Sequence, residues 1–90
     1  ETVSGGIDLI NLSVLGHSLY YFLLAELSSL TQVHFEKYRQ HQYYDLILTT
    51  TKKAISVKDN YYYMSEFLSA YDIAQIKSKI KAIKHQKNNR

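Results

Sequence analysis

The chain has no cysteine, no proline and no tryptophan, and only three glycines among its 90 residues. Without a thiol, neither a disulfide nor a thiolate metal centre can brace the fold, so stability has to come from packing. Without proline, nothing in the sequence forces a helix to stop, which favours long helices over a loop-rich sheet. A chain of this length buries about two-thirds of the surface its unfolded form exposes, so the interior is thin. One domain is expected over residues 1–90, because the sequence shows neither an internal repeat nor a Ser/Gly/Pro linker.

Positive charge is missing over a long stretch. Residues 1–36 hold Glu1, Asp8, Glu26 and Glu36 but no lysine or arginine, whereas residues 37–90 hold all eleven basic side chains against four acids. Lys77, Lys79, Lys81, Lys84, Lys87 and Arg90 crowd the end of the chain with no acid between them. Such an end suits nucleic acid, an anionic membrane or an acidic protein face, and composition does not choose among them. Catalytic signatures are also absent. There is no G-x-S-x-G, no P-loop and no G-x-G-x-x-G, and Gly5-Gly6 is too little to cradle a phosphate. The reading is a non-enzyme with no cofactor. No metal centre is expected either: His34 and His41 would share a helix face about 10.5 Å apart, too far for one ion, and His17 and His85 lie elsewhere.

What the sequence does contain is apolar residues at helical spacing. Leu9, Leu12, Gly16, Leu19, Leu23, Leu27 and Leu30 step by three and four and predict a helix over residues 7–30. Asp8, Asn11, His17 and Glu26 are spread through it, which argues against a membrane span. Tyr44, Ile47, Leu48, Thr51, Ala54 and Ile55 predict a second helix over 32–57. Residues 46–51 weaken that reading, because Ile47 and three consecutive threonines favour extended chain, and a hairpin turning at Lys52-Lys53 is the alternative. After the loop Lys58-Asp59-Asn60, a cap at Ser65 and a stripe of Phe67, Ala70, Ile73, Ile76, Ile80 and Ile83 predict a third helix over 65–86. The expected fold is all-α, an antiparallel three-helix bundle, with residues 85–90 fraying.

Nine tyrosines and three phenylalanines exceed what such an interior holds, so some rings should face a partner. Lys37, Tyr38, Arg39, Tyr43 and Tyr44 are the expected partner-binding residues, since Tyr and Arg recur as interface anchors.

Lys58-Asp59, then Met64-Ser65-Glu66, then Tyr71 followed by Ile73, Ile76 and Ile80, together with the Tyr43-Tyr44 pair, resemble the staphylococcal complement inhibitors. The resemblance covers roughly residues 54–84, and Asp45 stands where that family carries basic residues after its tyrosine pair. It implies a secreted, cysteine-free three-helix bundle that binds host C3b and blocks the C3 convertase without catalysis of its own. Two alternatives stand beside it. One is an intracellular nucleic-acid binder using the lysines of residues 77–87. The other is a bacterial immunity or adaptor bundle pairing through the apolar surface of helix one around Phe22.

Overall fold

The computed structural model describes residues 2–9, 14–50, 60–65 and 68–88, and gives a four-stranded, wholly parallel sheet with two helices. In chain order the elements are β1 (Val3–Asp8), α1 (Val14–Leu27), β2 (Val33–Lys37), β3 (Leu46–Thr49), β4 (Tyr61–Tyr63) and α2 (Ala70–Asn88). The strands lie in the order β2-β1-β3-β4. The fold is α/β, and the expected three-helix bundle is wrong.

The middle of the chain carries the largest correction. Leu46, Ile47, Leu48 and Thr49 are all buried, the continuous apolar run of a strand covered on both faces. A run of that kind satisfies a helical template as readily as a strand template, so spacing alone could not separate them. The hairpin alternative is also corrected: β3 pairs in parallel with β1 on one side and with β4 on the other. Its supposed turn at Lys52-Lys53 lies outside the described residues. At the start of the chain, residues 3–8 form a strand rather than the front of a long helix.

Other parts of the leucine and isoleucine stripes hold. Leu23 and Leu27 of α1, with Ile76, Ile80 and Ile83 of α2, are buried against Val3, Ile7, Phe35, Leu46 and Leu48. By strand alternation and register those sheet residues share one face. Both helices therefore cover the same side of the sheet. α2 starts later than expected and is capped by Ser69, not Ser65. Ser69 N–H donates to Asp72 Oδ2 at 3.1 Å, and Asp72 N–H donates back to Ser69 Oγ at 3.2 Å. The helix continues to Asn88, so residues 85–88 are ordered helix.

Gly5 and Gly6 serve packing on opposite faces of β1. A Cβ at Gly5 would run into the Phe35 ring, and one at Gly6 would fall 3.0 Å from the Tyr44 ring. Gly5 leaves no room for any side chain beside Phe35, whereas at Gly6 the fit against Tyr44 is tight and a methyl would need the ring to give by a few tenths of an ångström.

Candidate functional site: the carboxyl edge of β1 and β2

In a parallel sheet with this strand order, the connection from β1 to β2 runs one way and that from β2 to β3 runs back across β1, and ligands of such sheets bind outside the carboxyl ends of the strands at that reversal. Here the reversal lies between β1 and β3, which end at Asp8 and Thr49. Residues 10–13 and 51–59, which follow those two strands, lie outside the described residues. Beside this point, the carboxyl end of β2 is fully described, and it holds most of the residues singled out from the sequence.

Lys37 closes β2 on its exposed edge, and Tyr38 N–H donates to Ile7 O at 3.0 Å, extending the ladder one residue further. The chain then runs through residues 38–45 back to the amino end of β3 without a helix, passing over the Gly6 side of β1. A crossover this short needs a strut, and Tyr44 supplies it. Tyr44 is 1% exposed, its ring lies against Gly6, and its ring centroid is 5.7 Å from that of Tyr38. Its hydroxyl accepts from Arg39 N–H at 3.1 Å and donates to Lys37 O at 3.4 Å. His41, in the same connection, takes the left-handed conformation at φ 67°, which turns the chain back toward β3.

The five expected contact residues are thus neighbours, but they do different work. Tyr44 is a buried support. Tyr38 is half-buried beside it. Lys37 is exposed, as are Arg39, its side chain at 73%, and Tyr43 at 72%. Arg39 Nε lies 3.3 Å from Glu36 Oε2, and His34 Nε2 lies 3.8 Å from Glu36 Oε1, so this edge mixes both signs of charge. His34 and His41 do not share a helix face, because neither is in a helix. Among the described residues, no group of three or more His, Asp or Glu side chains converges as a metal site would require.

At the amino ends of β1 and β3 sits a largely buried ion pair that the sequence reading missed. Lys87 Nζ lies 2.7 Å from Asp45 Oδ2 and donates to Thr2 O at 3.1 Å. Ser4 N–H donates to the same carboxylate at 2.9 Å, while Asp45 N–H donates to Ser4 O at 2.8 Å. Burial alone would raise the Asp45 pKa, but Lys87 and the Ser4 amide outweigh it and hold it below the ordinary value. The same balance operates at Asp72. Burial opposes ionisation there too, yet the Ser69 amide and the Tyr62 hydroxyl at 2.8 Å keep the carboxyl lowered. Burial and that carboxylate in turn push Tyr62 up to about 12.

These pairs bear on the basic end of the chain. Lys87 is committed to Asp45, and Lys77 Nζ lies 3.7 Å from Glu26 Oε2 on α1. Part of the lysine run is therefore already paired within the chain, Lys87 under cover and Lys77 at the surface, which weakens its reading as a nucleic-acid surface. Among the described residues, no helix is long and apolar enough to cross a membrane. No family model matches the chain, and no curated protein matches it.

Proposed function

We propose that the chain is a non-catalytic protein-binding domain that presents the carboxyl end of β2, and the connection behind it, to a partner. The observation that carries this reading is the role of Tyr44. By bridging Lys37 O and Arg39 N–H from beneath, it fixes the backbone of residues 37–39 while leaving the Arg39 and Tyr43 side chains in water. A surface already held in place loses less entropy on binding, and arginine and tyrosine are the side chains that dominate contact energies.

C3b is the first partner to try, because the resemblance names it. The corrected fold removes the second helix on which that contact was expected, so recognition would fall to the edge surface described above. Surface plasmon resonance over immobilised C3b should show wild-type binding that weakens about tenfold or more in Arg39→Ala or Tyr43→Ala, and less in Tyr44→Phe. Silence of the wild type up to about 10 μM removes C3b as the partner. Binding that both alanine variants leave unchanged removes this surface as the contact.

A further inference from the structure

The outer side of the two helices is used by neither the core nor the edge surface. α1 and α2 cover the same face of the sheet, and the Lys77–Glu26 pair joins their facing flanks. Among residues 18–27 of α1, whose burial is described, the exposed positions are Ser18, Tyr21, Phe22 and Ala25, at steps of three and four, with Tyr21 65% and Phe22 50% exposed. Phe22 sits one turn before Glu26 and therefore on the flank that meets α2. Along α2 the matching flank runs Ala70, Ala74, Lys77, Lys81 and Lys84, again at steps of three and four. The seam is thus small along the amino half of α2, aromatic at Phe22 in the carboxyl half of α1, and cationic toward the carboxyl end of α2. Glu26 answers Lys77, while Lys81 is exposed and Lys84 half-buried, with no acid on either helix beside them among the described residues.

We propose that this seam docks an acidic amphipathic helix of a partner protein, its apolar side on Phe22, Ala25 and Ala74 and its carboxylates against Lys81 and Lys84. Charge selects this occupant. A second copy laid antiparallel on the seam would set each lysine row on the other's Phe22 and Ala74, placing charge on apolar surface. A lipid surface calls for a broad face of large apolar side chains. Here Tyr21 and Phe22 are the large exposed side chains of α1 among the described residues, and Ser18, Ala25, Ala70 and Ala74 beside them are too small to complete such a face.

The test is a titration of the ¹⁵N-labelled full chain, followed by amide shifts. The probe is a synthetic helix of about five turns with leucine on one face and glutamate on the rest. A counterpart with lysine in place of glutamate, phosphatidylserine vesicles and duplex DNA complete the set. The expected result is shifts confined to Phe22, Ala25, Ala74, Lys81 and Lys84. Affinity for the glutamate helix should fall about tenfold in the Lys81→Glu/Lys84→Glu variant and hold in Lys79→Glu, which lies on the far shoulder of α2. Circular dichroism of both variants confirms that the fold is retained. The proposal is overturned by equal binding of the lysine helix, by shifts elsewhere, by tighter binding to vesicles or DNA, by self-association through Phe22, or by no binding below about 1 mM.

Discussion

Tyr43 and Tyr44 are adjacent in the chain and opposite in environment, one open to water and the other closed beneath the crossover. Removing the Tyr44 hydroxyl while keeping its ring isolates the bridge from the packing. Tyr44→Phe is expected to lower stability by about 1 kcal/mol, the usual net worth of a hydrogen bond, and to speed amide exchange at Arg39 specifically. Denaturant unfolding and hydrogen exchange check the two parts separately. The Asp45–Lys87 pair is costlier to break from one side. Lys87→Met leaves a carboxylate buried with only the Ser4 donors, and a loss of about 3 kcal/mol is expected by urea denaturation. Asp45→Asn/Lys87→Met should recover part of that loss, because no lone charge then remains buried.

Each element depends on a small number of local devices. α2 begins where Ser69 and Asp72 satisfy each other's backbone donors, so Ser69→Ala should cost about 1 kcal/mol and fray the first turn. Helix content by circular dichroism and exchange at Asp72 report it. β1 depends on glycine for the opposite reason, the need for nothing at all. Gly5→Ala drives a methyl into the Phe35 ring and should cost about 1–3 kcal/mol, read as a lower denaturant midpoint. The double glycine is too little to hold a phosphate, and its role in the structure is packing. The isoleucine stripe of α2 was legible because a helix repeats its pattern over many turns. β2, β3 and β4 were not, because three to five residues carry too few repeats to distinguish period two from period 3.6.

For the molecule as a whole, the shifted groups set the pH range of stability. Asp45 and Asp72 have folded pKa values below the ordinary 3.8, so their contribution is fully present above that value and is lost as pH falls below it. Tyr62 is raised from 10.0 to about 12, so its contribution is present below pH 10 and is lost as pH rises through that interval. Urea midpoints should therefore hold between these limits and fall at both ends. Tyr62→Phe should flatten the alkaline fall, and an unchanged alkaline limb would show that Tyr62 does not govern it. Of the candidate site, the cluster of Lys37, Tyr38, Arg39, Tyr43 and Tyr44 was readable, since a short run of chain stays together in any fold. Which of the five support and which are exposed was not readable, because that depends on what passes beneath them. The sequence by itself determined a cysteine-free, packing-held chain with two apolar helical stripes and a separation of charge along its length. Only the tertiary structure decided that residues 3–8 and 46–49 become neighbouring parallel strands, because strand pairing is a contact between distant segments and leaves no local pattern of its own.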